Sequence, residues 1–299
     1  MMCYLAALKM FRSGWCSRAA IACLALALLA AAPARAREAD KEDEATTETT
    51  AGRRWLEERM WRDLYAQAVY STNGAHNLVG DVSSRQGIHW IKLRDKWIDL
   101  YVKERLLADV NRDPWNNVGE AALGIQHRPF EKIGLNLFAE IVGGRYTGGH
   151  GEEDPSYHDY RAGLAFWQWW GRQPYEIEHT EYYLPFTGWR EVYADSIGFH
   201  RLDNNWISNL HYREGLALGK WGPVSWDAYL VMKGGIDSSG DAWNNYAAVG
   251  PGIRVAPFED VDLKLGVEFL RGQLYRGDVG DSSRSFNDVQ VFAAFYIEF

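Results

Sequence analysis

Residues 113–141 read DPWNNVGEAALGIQHRPFEKIGLNLFAEI, and residues 241–269 read DAWNNYAAVGPGIRVAPFEDVDLKLGVEF. Adding 128 to each number in the first stretch gives its counterpart in the second, without a gap. Twelve of the 28 positions from 113 to 140 are identical, where chance gives roughly two at average residue frequencies. The sequence therefore predicts a tandem duplication of 61–171 and 189–299, in which Phe299 aligns with Gly171.

Each of the two stretches has the pattern of a β-hairpin. Residues 261–269 alternate between apolar and polar side chains, and this period of two is typical of a strand with one face of each kind. Pro257 belongs in the turn, because proline cannot donate to a strand ladder. Extended over both halves, the alternation predicts twelve strands. We expect them at about 61–71, 86–94, 96–104, 116–127, 133–145, 159–170, 189–200, 207–218, 224–233, 244–255, 261–273 and 288–299.

The predicted connections alternate between short turns and long polar loops. Tight turns join the second strand to the third and the fourth to the fifth in each half, whereas 72–85, 105–115 and 143–158 are long. This alternation is typical of an all-β, closed antiparallel transmembrane β-barrel, with the short turns in the periplasm. The joint at 172–188 is long for a periplasmic turn, and a hairpin within it would raise the count to fourteen strands.

The N-terminus has the pattern of an export signal. Residues 1–36 combine three early basic residues, a short apolar run and the cleavage pattern Ala34-Arg35-Ala36, which predicts a signal peptide. The alternative is a transmembrane anchor, which the shortness of the apolar run disfavours. All three cysteines lie in this segment, so the mature chain needs a source of stability other than disulfides. Residues 37–60 are predicted to be an acidic, disordered lead-in to a barrel at 61–299.

Charge and the C-terminus narrow the class of protein further. Removing the four basic residues of 1–36 from the 32 in the chain leaves 28 against 40 acidic residues, a net charge of −12, which disfavours nucleic acid as a partner. Residues 289–299 alternate and end in Phe299, which resembles the signal read by the barrel-insertion machinery; an ordinary soluble strand is the alternative. We therefore expect localisation in the outer membrane of a Gram-negative bacterium, with membrane lipid and that machinery as partners.

Tryptophans gather near the predicted strand ends, where an interfacial girdle or, alternatively, a carbohydrate-stacking platform would explain them. They are Trp61, Trp115, Trp167, Trp169, Trp170, Trp189, Trp206, Trp221 and Trp243. If the apolar register faces lipid, the polar register faces the lumen. The candidate lumen residues are Tyr65, Arg85, Asp99, Tyr101, Glu140, Tyr193, Arg213, Asp227, Tyr229 and Glu268, with Asp63, Glu191, Arg254 and Lys264 in the same register. They can form a network of paired charges that rigidifies the barrel, or a polar path for a hydrophilic solute.

Motifs for catalysis, cofactors or metals are weak. No serine occupies a G-x-S-x-G turn, and the proximity of Ser208 to His211 is the only hint of an outer-membrane phospholipase. The loop Gly149–Asp159 is acidic and contains His150 and His158, so a calcium site is conceivable, although the pattern favours a solvated acidic loop. We predict no enzyme activity, no cofactor and no metal.

Two segments resemble a known family. Asn244-Asn-Tyr-Ala-Ala-Val-Gly-Pro-Gly-Ile-Arg254 and the stretch from Arg128-Pro-Phe-Glu131 to Glu140 are similar to the C-terminal barrel of the bacteriophage adsorption protein A family, itself similar to barrels of exopolysaccharide and cellulose export systems. The resemblance covers roughly 190–299 and implies a barrel in polymer export. Members carry long periplasmic tetratricopeptide arrays, whereas only the short segment 37–60 separates the predicted signal from the first strand here. A periplasmic export scaffold would then be a separate chain.

The sequence-based interpretation is thus an outer-membrane barrel that serves as a pore or structural component of polysaccharide or other hydrophilic-polymer export. Three alternatives stay open at this point. They are a small porin for oligosaccharides, a lipid-modifying barrel enzyme, and a structural barrel that anchors or receives a partner.

Overall fold

The computed structural model describes residues 58–298, except 74–75, 112–115, 131, 148–154, 172–186, 242–243, 259–260 and 276–284. The predicted signal peptide and nearly all of the acidic lead-in lie outside the described residues. In the part of the chain that is described, no helix is long and apolar enough to cross a membrane.

Twelve antiparallel strands form one closed sheet. Each strand pairs with its neighbours in the sequence, and β1 closes the ring by pairing with β12. The strands are β1 (Met60–Ser71), β2 (Asn77–Leu93), β3 (Lys96–Asp109), β4 (Val118–His127), β5 (Leu135–Tyr146), β6 (Ser156–Gly171), β7 (Thr187–Phe199), β8 (Asn205–Trp221), β9 (Val224–Asp237), β10 (Tyr246–Ala256), β11 (Asp262–Leu274) and β12 (Ser285–Glu298). A short 3₁₀ helix, His200–Leu202, lies between β7 and β8. The prediction of a twelve-strand closed barrel is confirmed.

Several predicted loops are shorter than expected, because the strands extend further towards one end of the barrel. The stretch 72–85 was predicted to be a loop, yet β2 begins at Asn77, and β3 continues to Asp109 where 105–115 was predicted to be a loop. The sequence pattern is weak in the start of β2 because Gly80 and Ser84 interrupt the apolar face that Leu78 and Val82 begin. Ladder pairing with β1 and β3 makes this segment a strand despite its composition.

The short turns lie at the same end of the barrel as the start of β1 and the end of β12. Two-residue turns join β2 to β3 at Arg94-Asp95 and β8 to β9 at Gly222-Pro223. Arg94 has φ 55° and Gly222 has φ 58°, the left-handed region that a side chain disfavours and glycine tolerates. The corresponding positions of the two halves therefore adopt one turn geometry with different residues.

The outer surface is apolar and the interior is polar. Large apolar side chains stay exposed along the outward register of most strands, including Leu123, Ile141, Leu230, Ile253 and Phe269, which are 50–61% exposed. Buried charged side chains alternate with them on the inward register. An apolar exterior around a polar lumen is the arrangement of a transmembrane barrel, because lipid contacts the outer face.

Strand bounds and strand pairing correspond between the two halves. β2 and β8 each contain 17 residues, β3 and β9 each contain 14, and the bounds of both pairs differ by the same offset of 128. The irregularity after His89 in the β2–β3 ladder recurs at the same offset in the β8–β9 ladder, after Ala217. This correspondence supports the hypothesis of a tandem duplication, which stays an inference from the sequence.

The last strand departs from the offset of 128. Glu140 of β5 pairs with Arg161, whereas Glu268 of β11 pairs with Gln290, so β12 follows β6 at an offset of 129. A shift of one residue moves every side chain of a strand to the opposite face. The predicted alignment of Gly171 with Phe299 is therefore wrong by one residue. The connection between β11 and β12 is one residue longer than the offset of 128 predicts, and the polar side chains of β12 therefore still face the lumen.

The repeated Asn-Asn pairs fix the rim opposite the short turns. Asn245 donates to Asp237 Oδ1 at 2.8 Å and accepts a hydrogen bond from the Asp237 backbone N–H, and Asn244 donates to Oδ2 at 2.9 Å. Asn116 and Asn117 hold Asp109 in the same way in the first half. Both pairs were predicted to begin a strand, but they precede β4 and β10, where they tie each loop to the end of the previous strand.

Candidate functional site

The structure places all ten candidate lumen residues on the inward register, on strands β1, β2, β3, β5, β7, β8, β9 and β11. Eight of them take part in ion pairs and hydrogen bonds, in two groups in the first half of the barrel and one connected cluster in the second. Tyr65 and Tyr193 lie apart from these clusters, on strands that are six steps apart around the twelve-strand ring.

The cluster of the first half begins near the end of the barrel that carries the short turns. Arg85 forms an ion pair with Asp63 and donates to Gln126 Oε1 at 3.4 Å. Gln126 in turn donates to Asp99 at 3.0 Å, and Asp99 also contacts His89 Nδ1 at 2.7 Å. These side chains form one continuous chain of contacts from β1 to β4.

Glu140 holds a second group in the same half. The Tyr101 hydroxyl donates to Glu140 at 2.8 Å, and Lys103 Nζ lies 3.2 Å from the same carboxylate. Both partners come from β3, while Glu140 belongs to β5, so the contacts bridge two strands that are not neighbours in the sheet. Such bridging stiffens the wall, because the groups are satisfied in one arrangement only.

The second half contains the corresponding cluster with more charge. Arg254 pairs with Asp227 at 3.0 Å and with Glu191 at 3.2 Å, while Arg213 pairs with Glu268 at 3.1 Å and approaches Glu191 at 3.7 Å. Arg254 corresponds to Gln126 of the first half. Because a guanidinium replaces the neutral amide, this cluster contains two arginines and three carboxylates, and Glu191 contacts both arginines.

The carboxylate of Glu268 contacts a tyrosine and a lysine, as the carboxylate of Glu140 does in the first half. Tyr229 donates to Glu268 at 3.1 Å, as Tyr101 does to Glu140, and Lys233 Nζ lies 2.6 Å from the carboxylate. Tyr229 and Tyr101 correspond, but Lys233 is one inward position further along its strand than the counterpart of Lys103. Both glutamates are therefore paired with a lysine, although the two lysines do not occupy corresponding positions.

Four of the tryptophans that were assigned to a girdle lie on the inward register instead, namely Trp61, Trp167, Trp169 and Trp189. Trp189 is 1% exposed and Trp61 is 8% exposed, and both lie inside. Trp189 stacks on Trp169 with ring centroids 4.9 Å apart, and the Arg254 guanidinium lies 4.5 Å from the Trp189 ring. Tryptophan near a strand end fits either face, so the sequence alone favoured the wrong one.

The remaining tryptophans divide between the two faces and the undescribed segments. Trp170, Trp206 and Trp221 are exposed on the outer surface, as a girdle requires. Trp167 lies on the inward register of β6 and donates weakly to Glu191, at 3.4 Å. Trp115 and Trp243 lie outside the described residues.

Inward glycines let the tyrosines of these clusters lie flat against the wall. A Cβ built at Gly124 would lie 2.3 Å from Tyr101 Cζ, and one at Gly252 would lie 2.6 Å from Tyr229 Cζ. Carbon atoms cannot approach so closely, so each ring occupies the space that a side chain would take. This explains the glycine that both copies of the repeated stretch contain.

A further network near the opposite rim was missed by the sequence reasoning. Arg161 forms an ion pair with Glu120 and another with Asp159 at 2.8 Å, and Arg201 lies 3.5 Å from Asp159. Arg105 pairs with Asp81 at 2.8 Å. The counterparts of Glu120 and Arg161 in the second half are Ala248 and Gln290, so no repeated pattern marked this network.

The middle of the lumen is bounded by two tyrosines from opposite sides. Tyr193 is 38% exposed and donates to Asp195 at 2.7 Å, while Tyr65 is half-buried and donates to Gln67. Tyr65 and Tyr193 therefore face one lumen from opposite walls, and hydroxyl, amide and carboxylate groups line the lumen on these two sides.

One of the two chemical hypotheses does not survive the geometry. Ser208 points outward and bonds to Ser196 at 2.8 Å, whereas His211 points inward with its ring 6.0 Å from that of Tyr193, so they cannot act as a Ser/His pair. Asp159 lies inside β6 in ion pairs, while the adjacent His158 faces out. Asp159 is paired inside the barrel, and the calcium hypothesis for the 149–159 loop rests mainly on 149–154, which lie outside the described residues. No grouping of three metal-binding side chains occurs among the described residues.

No protein-family model and no curated protein matches this chain. Solved barrel structures match at low identity. The β domain of the Bordetella autotransporter BrkA is 11% identical, with 79% of this chain and 98% of that chain covered and a TM-score of 0.36. LpxR from Salmonella typhimurium is 6% identical, with 79% and 99% covered and a TM-score of 0.33. The NanC porin is 8% identical, with 78% and 98% covered and a TM-score of 0.28.

At these identities and TM-scores, the similarities do not identify a function. The architecture itself is decisive for location, because a closed antiparallel barrel with an apolar exterior is the form in which bacterial proteins span the outer membrane. The chain is an outer-membrane β-barrel of a Gram-negative bacterium.

Proposed function

We propose that the protein is a narrow outer-membrane pore for hydrophilic, sugar-like solutes. The observation that carries the proposal is that the Tyr65–Gln67 and Tyr193–Asp195 pairs, on β1 and β7, face one lumen from opposite walls, and we infer that they form its constriction. Tyrosine rings and hydroxyl, amide and carboxylate groups can bind the hydroxyl groups and apolar faces of sugars in turn.

The paired charges around the constriction support this choice of solute. Arg85, Arg213 and Arg254 each contact carboxylates of the wall, so their charges are largely compensated. A wall of compensated charges attracts a simple ion weakly, whereas its hydrogen-bonding groups remain available to a neutral solute. The same pairing keeps the lumen in shape, so rigidity and passage are compatible.

Conductance across a planar bilayer tests the pore. We expect small, discrete conductance steps for the natural protein and larger steps for the Tyr65→Ala/Tyr193→Ala variant, because the constriction widens. Tyr212→Ala is the matched control, since Tyr212 lies on the outward face of β8 and bonds to Glu214 there. A barrel that stays silent both with and without the two lumen tyrosines would contradict the proposal.

The direction of transport is a separate question. The predicted role in polysaccharide export, with a separate periplasmic scaffold, rests on the family resemblance. Loss of surface polymer after deletion of the gene would support export, whereas impaired uptake of an oligosaccharide would support a porin. The lipid-modifying alternative has no comparable observation in its favour, because its Ser208/His211 pair is divided between the two faces of β8.

A further inference from the structure

A groove crosses the outer surface of the barrel from β4 to β8. It has a volume of about 670 Å³ and lies near the end of the barrel where β7 meets the 3₁₀ helix. Its walls include Leu123, Ile141, Tyr160 and Trp206, which are 48–60% exposed on the lipid-facing side.

The strand register produces the groove. Ile125 pairs with Ala139, Ala139 with Ala162, Ala162 with Gly198, and Gly198 with Trp206, so these five residues form one row across the outer face. The three central members have little or no side chain and form the floor. The Trp206 indole closes one end by lying over Gly198, where a Cβ would come within 2.8 Å of Cε2.

The opposite side of the barrel shows what the same row looks like with larger side chains. The corresponding residues are Ile253, Val267, Val291, Tyr70 and Leu78, paired in the same order. Two valines and a tyrosine replace the two alanines and the glycine, so the floor is filled. The groove is therefore a property of these particular residues rather than of the barrel.

An exposed arginine lies beyond the groove towards the long loops. Arg145 is exposed on the same outward register of β5, four residues and about 13 Å along the strand from Ile141. Arg145 has no ion pair among the described residues. His200 lies beside the groove, with its ring 5.9 Å from that of Tyr160. An apolar groove below and a cation above match the two ends of an anionic lipid in the leaflet on that side.

We propose that the groove binds an acyl chain of a phosphorylated, multiply acylated glycolipid of the outer leaflet, whose phosphate contacts Arg145. Lipid tails are as apolar as leucine, so selection of this lipid has to come from the shape of the groove and from the headgroup. Arginine supplies the headgroup contact, because its guanidinium binds phosphate through paired, charge-assisted hydrogen bonds. This site is independent of the lumen and of the proposed pore.

Filling the floor tests the acyl-chain contact. Ala139→Val/Ala162→Val gives this row the valines of the opposite side, and valine suits an exposed strand position. We expect native mass spectrometry of the delipidated barrel, titrated with purified lipopolysaccharide, to show one retained molecule for the natural protein and at least tenfold weaker binding for this variant. Val267→Ala/Val291→Ala on the opposite side is the matched control and should bind as the natural protein does, or bind a second molecule.

Arg145→Ala tests the headgroup contact, with Arg271→Ala as its control, since Arg271 is an exposed outward arginine of the other half. The first change should weaken binding of lipopolysaccharide but not of its dephosphorylated form, and the second should change neither. Ala162→Val alone replaces the double variant if that does not fold. Unchanged binding by a folded, filled variant would overturn the proposal, as would equal binding of phosphatidylglycerol by the natural protein.

Discussion

Replacement of Arg254 by alanine should destabilise the barrel more than replacement of any arginine on its surface. Arg254 is 3% exposed and is the shared partner of Asp227, at 3.0 Å, and Glu191, at 3.2 Å. In the variant, Glu191 still has Arg213 as a partner at 3.7 Å, whereas Asp227 has lost its arginine. The larger loss of charge compensation is therefore at Asp227. Removing one partner of a buried ion pair costs about 3–5 kcal/mol, because the other charge remains buried without compensation.

The free energy of unfolding in urea, followed by tryptophan fluorescence of the refolded protein, measures this loss. We expect a lower transition midpoint for Arg254→Ala with an unchanged slope, because the surface exposed on unfolding is the same. Arg271→Ala is the control; it removes an exposed arginine and should change the free energy of unfolding by less than about 0.5 kcal/mol.

A second variant separates the uncompensated charge from lost packing. Arg254→Ala/Asp227→Asn should be more stable than Arg254→Ala alone, because it removes the carboxylate that the arginine had neutralised. A loss below about 1 kcal/mol for the single variant, or no recovery in the double variant, would refute the reasoning that this network stabilises the barrel through charge compensation.

Three further changes test individual features. Gly124→Ala should cost about 1–3 kcal/mol, because the new Cβ would lie 2.3 Å from Tyr101 Cζ, and the loss in urea unfolding should shrink when Tyr101 is also replaced by alanine. Asn245→Ala should speed protease cleavage of the β9–β10 loop, because Asp237 loses the side chain that anchors the loop; cleavage at the natural rate would contradict this. Arg94→Gly should leave the urea midpoint unchanged or raise it, since φ 55° is unfavourable for arginine, and a marked decrease would show that the side chain has another role.

Much of the fold followed from the sequence because two independent patterns agreed. The period of two marked most strands, and the internal repeat showed that the same pattern occurs twice at a fixed distance. The agreement failed where the pattern itself was weak, as at the start of β2, where Gly80 and Ser84 face outward among apolar residues. Ladder pairing decided that segment, and pairing depends on neighbours that are distant in the sequence.

The candidate site was predictable only to the level of the register. Alternation indicates that Arg85, Asp99 and Gln126 share a face, but not that Gln126 connects the other two. The network around Arg161 was missed because Glu120 and Arg161 have no charged counterpart in the second half, so the repeat did not mark them. Pairs of corresponding residues were therefore easier to find than residues that occur once.

The sequence by itself predicted a closed barrel of about twelve strands with an apolar exterior, since alternation, turn residues and the internal repeat can all be read along the chain. The structure decided for twelve strands rather than fourteen. Only the tertiary structure decided which polar groups meet in the lumen, that Trp61 and Trp189 lie inside, and that β12 is displaced by one residue. It also decided that Ala139, Ala162 and Gly198 form one groove. Each of these depends on the register between strands, and register is fixed by the closure of the whole ring rather than by any single strand.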